Sequence, residues 1–121
     1  MINFNSTKIS NSTVVLEING QLSDQSRNVF FECIADLVES GVKNVVVECH
    51  KLGHLSSSGL AALLMARKRA AANGYKISLT NLNSSIAEVL EITKLGKLLS
   101  IYPNTETALA SIAGGDCAGS G

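Results

Sequence analysis

Val45-Val46-Val47 sits inside a nearly continuous apolar run from Val42 to Cys49. A β-strand that shows no alternation of apolar and polar residues is one buried on both faces, the usual state of a strand within a parallel sheet. A helical pattern follows after a short loop. Leu60, Leu63, Leu64 and Ala71 form one apolar face between about Ser58 and Asn73, and Gly59, Ala62, Ala66 and Ala70 form a strip of small residues beside it. Arg67, Lys68 and Arg69 fall toward the far end of this helix, where cations suit its dipole.

The rest of the chain repeats that alternation. Val14, Leu16 and Ile18 read as a strand ended by Gly20, with a further strand before it around Ile2–Ile9. Ser23 or Asp24 is placed to cap a helix that runs to about Ser40, with Gly41 as its stop and Phe30, Ile34, Leu37 and Val38 on one face. After Asn73-Gly74, Tyr75, Ile77 and Leu79 alternate with polar residues as a strand. Asn83 or Ser85 then caps a helix whose apolar side is Ile86, Val89 and Leu90, extending toward Leu95. Leu98–Tyr102 reads as a short strand ended by Pro103, and Asn104 or Thr105 opens a last helix to about Ile112. The order β-β-α-β-α-β-α-β-α predicts an α/β domain over residues 1–113. Its sheet is mixed but mostly parallel, with four to five strands and about four helices mainly on one face. Only the first strand pair is expected to be antiparallel. Residues 114–121 carry little apolar surface and read as a flexible glycine-rich tail.

Composition narrows the function classes. Ten basic residues balance ten acidic ones, so no global field draws in nucleic acid or an anionic membrane. Trp is absent and aromatics make up 4 % of the chain, which argues against a base-stacking platform. No apolar run approaches the ~20 residues of a membrane-spanning helix, and no signal peptide is visible. Cys33, Cys49 and Cys117 are odd in number and scattered, and read as free thiols in a reducing cytoplasm.

The chemistry-bearing stretch is Ser56-Ser57-Ser58-Gly59-Leu60, at a strand-to-helix junction where backbone N–H groups and a partial positive charge collect. A nucleophile elbow would need Gly where Leu55 stands, and His50 and His54 both precede the serine. There is no phosphate-binding loop ending in Gly-Lys-Ser or Gly-Lys-Thr. The two histidines do not share a helix face, so metal binding has little support. A serine before an apolar helix is most simply its cap, but one cap needs one hydroxyl and three are present.

Val45-Val46-Val47-Glu48 followed by Ser56-Ser57-Ser58-Gly59-Leu60-Ala61-Ala62-Leu63-Leu64 resembles the STAS domain signature of anti-sigma factor antagonists. Gly20-Gln21-Leu22 resembles the glycine-x-leucine that ends the second strand in that family, and Leu90-Glu91-Ile92-Thr93-Lys94-Leu95 resembles its leucine-rich third helix. The similarity spans roughly residues 10–112. The resemblance implies a STAS fold and a cytoplasmic, non-enzymatic protein without a cofactor. It also implies partner switching: the unphosphorylated form binds an anti-sigma factor serine kinase, phosphorylation releases it, and a phosphatase resets it. By position, Ser57 is the expected phosphoacceptor, with Ser23, Asp24, Ser56, Ser58 and Leu60 as the expected contact set. Ser56 and Ser23 stand where the family usually carries Asp, leaving Asp24 as the nearby carboxylate. STAS-like domains also serve as non-switching docking subunits of lipid-transport ABC systems, which is the alternative function.

Overall fold

The computed structural model describes residues 3–94 and 99–118. In chain order its elements are β1 (Asn3–Lys8), β2 (Thr13–Leu22), α1 (Arg27–Glu39), β3 (Asn44–Glu48), β4 (Leu52–Leu55), α2 (Ser57–Asn73), β5 (Lys76–Thr80), α3 (Ser84–Ile92), β6 (Ser100–Tyr102) and α4 (Thr105–Ala118). The strand order is β1-β2-β3-β5-β6, with β4 also paired to β2. Among the described residues only β1 and β2 run antiparallel; the other pairs are parallel, as expected of strands joined by helical crossovers.

The valine run shows why the sheet is covered on both sides. Val45 and Val47 join the main core with Leu16, Ile18, Phe30, Leu63 and Leu90. Alternation sends Val46 to the opposite face, where it is also fully buried. Helices α1, α2 and α3 contribute Phe30, Ile34, Ala62, Leu63, Ile86 and Leu90 to the first face. Helix α4 packs on β3, β5 and β6 from the other side, with Ala108 fully buried. Phe30 anchors the α1 end, its ring 6.2 Å from Phe4 of β1 and 5.9 Å from Phe31.

Several boundaries differ from the sequence expectation for identifiable reasons. Gly20 does not end β2: at a φ of 125° it carries a register shift, and the strand continues to Leu22 beside β4. The segment expected to be a loop before the serines contains β4, four residues long and interrupted by Gly53, too short and too irregular to show a period. Helix α1 begins at Arg27 rather than after Ser23 or Asp24, because residues 23–26 form a turn whose Ser26 N–H donates to the Ser23 carbonyl at 3.1 Å. In α2 the small-residue strip, not the leucine face, is the more buried: Gly59, Ala62, Ala66 and Ala70 are buried along with Leu63, while Leu60 and Leu64 are half-buried and Ala71 is exposed. Small side chains let the helix axis come close to the sheet. The basic triplet stops short of the last turn of α2, and Arg69 stacks on the Phe31 ring at 4.7 Å. Val89 is exposed, leaving Ile86 and Leu90 as the buried side of α3. Helix α4 continues to Ala118, past the end expected near Ile112. Leu95, Leu98 and residues 119–121 lie outside the described residues.

Cys49, at the end of β3, is fully buried, and burial, with the Glu48 carboxylate adding to it, pushes its thiol from the ordinary 9.0 up to about 12. A thiol that stays neutral in the fold but ionises in the unfolded chain contributes stability that is whole below pH 9 and declines as pH rises from 9 toward 12. The decline is about 1.4 kcal/mol per pH unit. Urea unfolding of the wild type and Cys49→Ala at pH 8 and pH 10.5 should therefore show the wild type losing about 2 kcal/mol more than the variant over that interval.

Candidate functional site

The serine triplet lies where three loops meet at the carboxyl ends of the strands. Ser56 is the N-cap of α2, in extended conformation with φ −79° and ψ 172°. Its Oγ accepts from the Gly59 N–H at 3.0 Å, and the same hydroxyl donates to the Leu22 carbonyl at 3.4 Å. The Ser56 backbone N–H donates to that carbonyl as well, at 3.2 Å. The Leu22 carbonyl thus joins the end of β2 to the start of α2. Gly59 is buried against this junction, and a Cβ there would run into the Leu22 carbonyl. The glycine of the serine-glycine-leucine motif is therefore required by a close approach to backbone rather than by an unusual φ.

This junction sets the position of the other expected site residues. Ser23 and Asp24 follow Leu22 directly, so the turn after β2 lies beside the serine loop. Ser26 fixes that turn. Its Oγ accepts from the Ser23 N–H and donates to the Gln21 carbonyl, both at 2.9 Å, and the residue is buried. Sequence pattern alone does not single out Ser26; its one signal is the three-residue spacing from Ser23, which suits a side chain that closes a turn onto backbone. Asp24 is exposed and 3.9 Å from Arg27, an exposed pair of small energetic weight. A third loop joins from α3, where Asn83 accepts from the Ile86 N–H at 2.9 Å and donates to the Leu52 carbonyl of β4 at 2.8 Å.

The three serines have different environments. Ser56 is half-buried and engaged as the cap. Ser57 is the first residue of α2 and exposed, and Ser58 is half-buried in the first turn. Leu60 is half-buried one turn into the helix. No acidic residue occupies the first turn of α2, so no carboxylate of the helix offsets the positive end of its dipole. His50 is exposed, and its backbone N–H donates to Glu48 Oε1 at 2.9 Å. The arrangement presents one exposed serine, Ser57, at the positive end of a helix, between a neighbour that uses its hydroxyl as a cap and a half-buried Ser58.

Two substitutions separate the cap from the close contact. Ser56→Ala should lower stability by about 1 kcal/mol in urea unfolding, the usual cost of a lost N-cap. Gly59→Ala should cost about 3 kcal/mol or more, because the added methyl must displace backbone rather than a side chain.

Comparison with known proteins agrees with this architecture. The STAS domain matches residues 5–108 of the chain. The anti-sigma factor antagonist SpoIIAA in its unphosphorylated form superposes with a TM-score of 0.75 at 19 % identity, over 93 % of this chain and 97 % of that one. The phosphorylated form, from Bacillus, gives 0.67 at 19 % identity over 91 % and 99 %. An anti-sigma factor antagonist from Mycobacterium paratuberculosis gives 0.76 at 16 % identity over 93 % and 95 %. A sulfate transporter family protein from Wolinella succinogenes gives 0.72 at 16 % identity over 86 % and 87 %. The fold is common to all of them, and the match from Asn5 to Ala108 takes in β2, the serine loop and α2, so this chain belongs to the STAS domain family.

Proposed function

We propose that the chain is an anti-sigma factor antagonist that binds a kinase-type anti-sigma factor and is released when Ser57 is phosphorylated. The carrying observation is the division of labour between Ser56 and Ser57: the first caps α2, which leaves the second exposed at the helix N-terminus. SpoIIAA, whose fold this chain shares, is known in unphosphorylated and phosphorylated forms.

The physics of the site suits a switch. A phosphoryl group adds about −1.5 to −2 charges at neutral pH. At the start of α2 that charge meets the positive end of the dipole, worth about 0.3–1 kcal/mol in favour of the modified domain. The fold therefore tolerates the modification. A partner that buries the neutral hydroxyl does not, since it would have to desolvate an anion. A penalty of about 3 kcal/mol weakens binding more than a hundredfold. The proposed contact set for the kinase is Ser23, Asp24, Ser56, Ser58 and Leu60, and a phosphatase would restore the binding form. The domain needs no cofactor for this role; ATP and magnesium act in the kinase. Among the described residues no helix is long and apolar enough to cross a membrane.

The fold likeness to a sulfate transporter family protein favours one second reading, a non-switching docking subunit of a transport system. Incubation with the cognate anti-sigma kinase and ATP, followed by mass mapping, separates the two. The switch reading expects the label on Ser57, kinase binding kept by Ser57→Ala, and binding weakened about a hundredfold or more by Ser57→Asp. Equal affinities of the two variants for the kinase would sink the switch, and no label on Ser56, Ser57 or Ser58 would support the docking subunit.

A further inference from the structure

A groove of about 390 Å³ lies between α1 and α2. Helix α1 lines it with Phe31, Ile34, Ala35 and Val38, a stripe at three- and four-residue spacing. Helix α2 lines it with Ala66, Arg69 and Asn73, at the same spacing. Tyr75 closes the end beyond α2. It alternates with Ile77 and Leu79, and so falls on the sheet face that both helices cover. The whole lining thus belongs to one side of the sheet. Ile34 and Ala66 are buried, Phe31, Val38 and Tyr75 are half-buried, and Ala35 is exposed. The groove exists because Ala35 and Ala66 stand where longer side chains would fill the space between the helices.

Charge is distributed unevenly along this groove. The Arg69 guanidinium stands 4.7 Å over the Phe31 ring, which holds the cation at that end. Glu39 also lines the groove, about 12 Å further along α1 at about 1.5 Å per residue. Between the two charges the α1 wall is apolar, formed by Ile34, Ala35 and Val38. A complementary occupant carries an acid and a base about 12 Å apart with apolar groups between them. An extended chain rises about 3.3 Å per residue, so that separation corresponds to about four residues. The exposed side at Ala35 lets such a chain lie lengthwise along the helices.

We propose that this groove binds a short extended segment of a partner protein. An acidic residue of the segment sits against Arg69, a basic residue about four positions away sits against Glu39, and the apolar side chains between them lie on Ile34, Val38 and the Phe31 and Tyr75 rings. Arg69 is about 18 Å along α2 from Ser57, so a segment held here leaves the serine loop uncovered, and the site does not depend on the switching role.

Titration of the isotope-labelled full chain by NMR tests it, with the end-blocked peptide Asp-Leu-Val-Leu-Lys as probe. The controls are Asn-Leu-Val-Leu-Gln, which keeps the apolar centre without the charges, Asp-Ser-Ser-Ser-Lys, which keeps only the charges, and octanoate. The probe should shift the amides of Val38, Ala66 and Asn73 saturably and bind about ten times more tightly than either control peptide. Arg69→Gln with Glu39→Gln should weaken its binding about tenfold, the scale of two part-exposed ion pairs. Ala35→Leu should abolish binding with the melting temperature unchanged, because leucine fills the groove from an exposed helix position and is nearly as good a helix former as alanine. Absence of saturable shifts, equally tight binding of the uncharged peptide, or full binding by Ala35→Leu would each overturn the proposal. So would tighter binding of octanoate at the same amides, which would make the groove a site for small amphiphiles. Shifts there that grow with protein concentration alone would overturn it too, by making the groove a contact between two copies of the chain.

Discussion

The site depends on one carbonyl. Leu22 O receives the Ser56 N–H and the Ser56 hydroxyl, and Gly59 packs too close to it to accept a side chain. These contacts seat the N-terminus of α2 on the end of β2. They place the turn at residues 23–26 beside the serine loop, and they make Ser56 a cap and leave Ser57 exposed. A shift of α2 along its axis by even one residue, about 1.5 Å, would break all of these together.

The same close approach explains the composition of α2. A helix held against backbone at its first turn cannot stand off from the sheet further along, so the residues facing inward at 62, 66 and 70 are alanines, Leu63 is the one leucine of the helix that is buried beside them, and Leu60 and Leu64 are pushed to the flanks. Burial by alanine contributes little apolar area per residue. The larger side chains of the core come instead from Phe30 and Ile34 of α1 and from the strands. The hydrophobic load and the positional precision are thus carried by different helices: α1 supplies mass to the core, and α2 supplies a fixed location for its two ends.

Much of this was legible in the chain. The valine run, the alternation in β2 and β5 and the apolar faces of α1 and α3 all follow from periodicity, and the resemblance carried by Gly20-Gln21-Leu22 and the serine loop named the family. The differences share a physical origin. Strand β4 is too short to show a period, and its pairing comes from the tail of β2 rather than from its own residues. The role of Ser26 depends on a turn closed by tertiary contacts. The burial of the small strip of α2 over its leucines depends on a contact between residues 22 and 59, a separation that local pattern does not register.

Strand β2 changes partner partway along. Thr13–Glu17 pair with β3, whereas Gly20–Leu22 pair with β4, and the ladder is offset between Gly20 and Gln21. The serine loop and the turn after Leu22 are therefore mounted on a narrow two-strand ribbon and not on the broad sheet. The break in register at Gly20, whose φ is 125°, separates the ladder that carries these loops from the one that carries the valine-rich centre, so the geometry of the loops and the packing of the core are set by different pairings of the same strand.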